Sequence, residues 1–377
     1  MTPAERLILE TLNREGVLPF DRFMELALYA PEVGYYTKAT TQIGRKGDFY
    51  TSPSLHSLFA VLLGIQIEEM WVMLGKPNDF AFVEFGGGMG FFAKDMLDYL
   101  RQRPLYETIN YVIIELNPYL IEAQKGVLKG HHAKTLWVRS ISDVGSFRGV
   151  IFSNELLDSF PVCLIELKEK KLVELGVCLI DGKVSETTMP CRGEVLKYIE
   201  DFCPQMLDSG LYTEGYRTEV NLNIRRWLRE CYEMLTEGFI ITIDYGYSAA
   251  EYYAPERERG TLLCYFKHTV NEEPLINIGE QDITAHVNFT SLKRWGEELG
   301  LTTCGFASQG VYLVSLDLEQ AIRHLYGENP DPFGIARLKG LLVPQGLGES
   351  HKVLVQYKGN EQPNLKGFQL SNRINAL

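Results

Sequence analysis

Residues 83–97 read VEFGGGMGFFAKDML, and this stretch decides the fold. An apolar run ends at Phe85, glycines follow at 86, 87, 88 and 90, and a helical pattern begins at once. Glycine lets a chain turn sharply and lets a ligand lie against bare backbone without meeting a Cβ. A strand, a glycine turn and a helix make the opening unit of an open parallel sheet, whose ligands sit at the carboxyl ends of the strands. Short apolar runs recur at the right spacing: AFVEF (81–85), NYVIIE (110–115), TLWV (135–138) and VIFS (150–153). Helical patterns fill 90–102 and 118–129 between them. The alternation predicts an α/β fold with a doubly wound, mostly parallel sheet and right-handed crossovers.

Working outward, helical patterns cover 3–15 and 20–30, and the loop QIGRKGDFYTSPS (42–54) leads into an apolar helix from Pro53 to about Leu74. Thr51 or Ser52 suits its cap, and Pro53 its first turn. Between 162 and 189, CLIELK, KLVELGVCLI and KVSETTM read as successive strands, the last two joined at Asp181-Gly182, a tight hairpin turn. A helical stretch (216–236), a strand FIITIDYG (239–246) and an aromatic insertion (247–289) follow. A helix (290–299), a strand (301–307), a helix (311–326) and a last strand HKVLVQY (351–357) close the sheet, and the stretch after Asn360 reads as a mobile tail. The expected organisation is therefore 1–78, an N-terminal helical region with a covering loop, and 79–161, the first half of the core. Next come 162–215, a β-rich and helical insertion, and 216–246, the core continued. The aromatic insertion 247–289, the end of the core at 290–358 and a tail at 359–377 complete it.

The 377 residues carry 37 Lys and Arg against 49 Asp and Glu, a net charge of −12. Such a chain lacks the clustered cations that nucleic acid or an anionic membrane requires, so neither is expected as a partner. At 45% apolar residues it can build a substantial core, which excludes disorder. Its seven cysteines are scattered, with no CxxC and no neighbouring His pattern, which predicts reduced thiols and no metal site. The acidic start MTPAERLILETLNREG does not resemble a signal or transit peptide, and no run reaches the ~18 apolar residues of a membrane span. A cytoplasmic location is the resulting expectation.

The glycine loop excludes two ligand classes. No GxxxxGK[ST] string occurs, and the dinucleotide fingerprint begun at Gly86 would need glycine or alanine where Phe91 stands. What remains is Glu84-Phe85-Gly86-x-Gly88-x-Gly90, which resembles motif I of class I S-adenosylmethionine (SAM) methyltransferases. The resemblance implies SAM binding by Glu84, Gly86, Gly87, Gly88 and Gly90; the competing reading is a plain tight turn. Glu115 closes the second apolar run, where a carboxylate can accept hydrogen bonds from both ribose hydroxyls, or else cap a helix. In GVIFSNELLDSFPV (149–162) a fourth strand ends at Ser153, and Asn154, Glu155 and Asp158 follow. Methyltransferases of this class present that strand end to the transferred methyl. The alternative is Asn154 capping a short helix whose acids suit its positive end.

Seven strings in order extend the likeness over nearly the whole chain: LALYAPEVGYYT (26–37), GDFYTSP (47–53), VEFGGGMG (83–90), NELLDSFPV (154–162), IDYGY (243–247), GTLLCYFKH (260–268) and GEQDITAHVNFTSL (279–292). Together they resemble the MidA-type family of SAM-dependent methyltransferases, which includes mitochondrial complex I assembly factors that methylate an arginine. The resemblance implies a class I, Rossmann-like sheet with an antiparallel final strand, N-terminal helices and a β-hairpin insertion. It implies a loop folded over SAM, with Asp48 and Thr51 meeting the ammonium and carboxylate; a turn and helix cap is the other reading of that loop. The chain departs from the family at Gly87, where proline is common, and at Val138-Arg139-Ser140, which lacks an acid for the adenine amino group. Asp143 or a backbone carbonyl could substitute. His286, Asp282 and Asn288 stay open between catalytic and structural parts.

The implied activity is methyl transfer to an arginine of a protein substrate. Glu155 and Asp158 would grip the guanidinium, Asn154 would orient them or SAM, and Tyr245 and Tyr247 would wall the pocket. Tyr252, Tyr253 and Phe266 read either as interface anchors or as core. Two alternatives remain: a small-molecule acceptor, and a SAM-binding assembly scaffold without catalysis. A homo-oligomer is compatible with the sequence.

Overall fold

The computed structural model describes residues 1–39, 57–208, 210–327 and 347–377. Its central sheet grows from the apolar runs. In chain order they form β1 (Phe80–Phe85), β2 (Asn110–Ile114), β3 (Thr135–Val138), β4 (Phe147–Asn154), β5 (Leu235–Tyr247), β6 (Thr302–Ser308) and β7 (His351–Lys358). Across the sheet the order is β6-β7-β5-β4-β1-β2-β3, with Val287–Asn288 adding beside the end of β5. The pairings from β3 to β5 are parallel; β7 runs antiparallel to both β5 and β6.

Successive side chains of a strand point to opposite faces, and both faces here are apolar. Phe80, Phe82, Phe152, Ile241 and Ile243 pack on one side, under the helices Ser57–Met73, Phe91–Leu100 and Gln309–Ser315. Ala81, Val83, Ile151 and Ile240 pack on the other, under Gly193–Phe202, Asn223–Met234 and Phe289–Leu299. The helix Ser57–Met73 is apolar all round because the sheet and later helices enclose it; Leu58 to Leu63 are all buried. The predicted start and cap of that helix lie outside the described residues. Register brings the strand ends level: Phe85 sits beside both Ile114 and Ser153, and Ile243 beside Asn154.

The insertion after β4 grows beyond a hairpin into a five-stranded sheet. Cys163–Lys168, Lys171–Ile180 and Lys183–Pro190 are joined by Val17–Pro19 and Arg217–Val220. The helical reading of 216–236 is thus corrected: Arg217–Val220 is a strand, and the helix starts at Asn223. The strand escaped notice because its Glu219, though polar, is buried. The carboxylate accepts hydrogen bonds from Thr261 and Leu262 amides and the Tyr252 hydroxyl. The helix expected over 311–326 is two, Gln309–Ser315 and Leu318–Tyr326, broken where Asp317 caps the second by accepting from the Gln320 amide.

The expected mobile tail is docked. Phe368 packs on Tyr312 at 5.1 Å between ring centroids, and a Cβ on Gly305 would lie 2.2 Å from the Phe368 ring. Asn372 closes the β6 edge, donating to the Cys304 carbonyl and accepting from the Phe306 amide. These contacts lack periodicity, so no pattern announces them. Phe368→Ala is expected to destabilise the protein by about 3 kcal/mol, read as a lower urea midpoint at unchanged m-value. A mobile tail would give no shift.

Candidate active site

The glycine turn follows β1. Gly86, Gly88 and Gly90 all hold left-handed φ, at +69°, +51° and +81°, conformations that cost an L side chain about 1–2 kcal/mol. Gly86 donates to the Ile114 carbonyl (2.9 Å), and Gly90 donates to Gly87 (2.8 Å) and leads into the helix Phe91–Leu100. A Cβ on Gly86 would meet nothing within 4 Å, so the outer side of the turn is open for a ligand. Beneath the turn, Glu84 is buried and accepts from the Tyr111 hydroxyl at 2.7 Å; burial pushes its pKa up to about 7.

Glu115 sits one residue beyond β2. It is tied to the glycine turn by a residue with no sequence signal of its own, Gln124. The fully buried Gln124 amide donates to the Gly88 carbonyl (2.9 Å) and to Glu115 Oε2 (3.1 Å), while its oxygen accepts from the Trp137 indole N–H (2.8 Å). Glu115 Oε1 accepts the Asn117 amide, and burial raises the acid's pKa against these donors. Asn117 in turn caps the helix Pro118–Val127 and donates to the Tyr36 and Lys38 carbonyls, fastening the N-terminal segment over this edge.

At the end of β4 the chain turns through Glu155 at φ +50°, a left-handed non-glycine residue whose amide donates to the Ile243 carbonyl. Asn154 does not cap the following turn. Asp244, on β5, does: one carboxylate oxygen accepts from the amides of Leu156, Leu157 and Asp158. Asn154 Nδ2 instead donates to Glu155 Oε1 (3.2 Å), and its Oδ1 is buried without a hydrogen bond among the described residues.

Glu155 and Asp158 then line one small pocket with Asp282, Tyr36, Tyr245 and Tyr265. Tyr36 donates to Asp282 at 2.6 Å. Burial, then Asp244, Glu155 and Asp282 nearby, push the Asp158 pKa well up; burial and Glu155 push Asp244 to about 7. Lined by three carboxylates and three tyrosines and, among the described residues, by no basic side chain, the pocket is chemically suited to a planar cation.

Other sequence expectations fall elsewhere. Asp48 and Thr51 lie outside the described residues. Asp143 is engaged in capping the turn at Ser140. Tyr247 lies under Arg257 (4.3 Å) and does not line the pocket. His286 stacks behind Tyr245 at 5.9 Å, and burial pushes its pKa down to about 4. Tyr252 and Tyr253 are core, hydrogen-bonded to Glu219 and Tyr198. Among the described residues no cluster suits a metal ion, and no helix is long and apolar enough to cross a membrane.

This strand order, with a glycine turn after the first strand and an acid after the second, defines a class I SAM-dependent methyltransferase. A family model described as an S-adenosyl-L-methionine-dependent methyltransferase matches residues 62–307, and the chain belongs to that family. A mitochondrial protein arginine methyltransferase NDUFAF7 homolog of Drosophila melanogaster is 26% identical over 91% of this chain and 82% of its own. The mitochondrial NDUFAF7 of Homo sapiens is 24% identical, covering 93% and 82%. A Burkholderia thailandensis protein solved with bound S-adenosyl-homocysteine (SAH) is 28% identical, with a TM-score of 0.86 over 99% of this chain and 96% of that one. The expectation of a cytoplasmic location is corrected by these relatives, several of which are named mitochondrial.

The raised Glu84 sets a pH dependence. Its folded-state pKa of about 7 exceeds the ordinary 4.5, so the folded protein holds the proton more tightly. The stability this group contributes is therefore fully present below pH 4.5 and is lost as pH climbs to 7, about 3 kcal/mol in all. Asp244, lifted from 3.8 to about 7, acts in the same direction. Urea midpoints measured from pH 5 to 8 should fall less steeply in Glu84→Gln than in wild type; parallel slopes would contradict a buried, protonated Glu84.

Proposed function

We propose that this enzyme transfers the methyl group of SAM to a guanidinium nitrogen of a protein arginine. The observation that carries the reading is the pocket of Glu155, Asp158 and Asp282 walled by Tyr36, Tyr245 and Tyr265. The names of the NDUFAF7 relatives support it.

The residues at the strand ends suit SAM. The open outer side of the turn at Gly86 leaves room for the aminoacyl and ribose parts, Glu115 retains lone pairs for the ribose hydroxyls, and the orphan Asn154 Oδ1 can accept from a donor there. Glu84, facing Tyr111, supports the turn from below. Bound SAM supplies a methyl group activated on a positively charged sulfur.

The protein's own part is to make a poor nucleophile reactive. A guanidinium has a pKa above ~12 and delocalised charge, so its nitrogens are weakly nucleophilic. Glu155 and Asp282 can hold it by paired, charge-assisted hydrogen bonds that concentrate electron density on one nitrogen. Asp158, whose raised pKa favours the protonated acid, donates or accepts as the charge shifts. Tyr245 and Tyr265 line the pocket beside the cation and exclude water. Fixing this geometry removes much of the entropic part of the barrier.

Glu155→Gln should lower kcat on a pool of arginine-containing peptides by ~100-fold or more, as for loss of a positioned base, while SAH affinity by calorimetry changes little. Asp282→Asn should chiefly raise the peptide KM. Equal transfer to lysine peptides, or wild-type turnover in Glu155→Gln, would overturn the assignment.

A further inference from the structure

β7 runs antiparallel to β5, and its first residue, His351, pairs with Tyr245 directly behind the acceptor pocket. The His351 side chain is fully buried, yet it borders solvent through its neighbour: Ser350 is exposed, and its Oγ lies 3.1 Å from His351 Nδ1. On the other side of the ring, Nε2 stands 3.5 Å from Glu155 Oε1, within ion-pair reach but out of hydrogen-bond alignment, and makes no hydrogen bond among the described residues. The Tyr245 ring lies against the imidazole at 4.0 Å and fixes its plane. A buried imidazole nitrogen without a partner is costly to maintain and marks a place where a proton can be accepted.

We propose that Glu155, His351 and Ser350 form the route by which the proton released during methyl transfer leaves the pocket. The inference rests on the arginine reading for the source of that proton. When a guanidinium nitrogen gains a methyl, the carbon–sulfur bond breaks with its electron pair staying on sulfur, and one N–H proton must depart. Glu155 takes it, passes it to His351 Nε2 and returns to carboxylate. The Nδ1 proton moves to Ser350 Oγ, which exchanges with water. His351 acts through Glu155 and does not touch the acceptor, so its part is positioning and relay.

The other acids are poorly placed for this work. Asp244 has one carboxylate oxygen engaged by the three amides of 156–158, and Asp158 is buried. His286 is held neutral behind Tyr245. The groups facing His351 are therefore Glu155 from the end of β4, Asp244 and Tyr245 from β5, and His286 from the aromatic insertion.

Two measurements on the full chain test the route. In nitrogen-15 spectra of the SAH-saturated protein, the His351 imidazole is assigned by its loss in His351→Gln, then titrated in wild type and in Glu155→Gln. Loss of the facing carboxylate, 3.5 Å away, should move the His351 nitrogen-15 titration to lower pH. An unmoved titration overturns the proposal and needs no acceptor. Kinetically, Ser350→Ala, a surface change that leaves folding intact, and His351→Gln should each lower kcat on the arginine-peptide pool by ~10-fold at unchanged KM. The acid limb of the kcat profile should vanish in His351→Gln. If wild type methylates the pool and both variants keep its kcat and pH profile, the route is overturned. If wild type methylates no arginine peptide, the acceptor assignment falls while the nitrogen-15 titration still decides the Glu155–His351 link.

Discussion

Negative charge held away from water is the constraint on which the site depends. Glu155, Asp158, Asp244 and Asp282 converge beyond the ends of β4 and β5, where burial and the neighbouring carboxylates oppose ionisation of Asp158 and Asp244. Three backbone amides meet one oxygen of Asp244, and a tyrosine hydroxyl meets Asp282. The left-handed turn at Glu155 belongs to the same arrangement. Such a conformation costs about 1–3 kcal/mol and persists only when its surroundings over-determine it, here through the Glu155 amide on Ile243 and the amides on Asp244.

Much of the core was legible because its signals are local. Alternating apolar runs, bounded by glycine and proline, located β1 to β5, and the register of a parallel sheet then set Gly86, Glu115 and Asn154 on one edge. Glu155 and Asp158 were readable from their place after a strand, and the structure brings them into one pocket. Their partners were not readable in the same way. Tyr36 and Asp282 meet across 246 residues of sequence, and no local pattern encodes such a pairing. Gln124 and Asp244 act through several long-range hydrogen bonds to backbone and side-chain groups, which leave no periodicity. The strand Arg217–Val220 was hidden by a buried glutamate whose donors come from residues 252–262.

The N-terminal segment and the aromatic insertion are parts of the site as much as decoration on the core. Tyr36 holds the Asn117 side chain by its carbonyl and Asp282 by its hydroxyl, so one residue touches both the edge that follows Glu115 and the acidic pocket. Relatives with about a quarter of their residues identical match 91–93% of this chain. A pocket assembled from three separate stretches would require that breadth.

The hydrogen bond from Trp137 to Gln124 has a practical side. An indole's emission colour follows the polarity and bonding around its N–H, and this one is wired through a single amide to both Gly88 and Glu115. The chain has four tryptophans; Trp71 donates instead to the Pro77 carbonyl, and Trp227 and Trp295 sit in the opposite-face core. The protein thus carries a built-in optical probe of its own glycine turn, readable without any label.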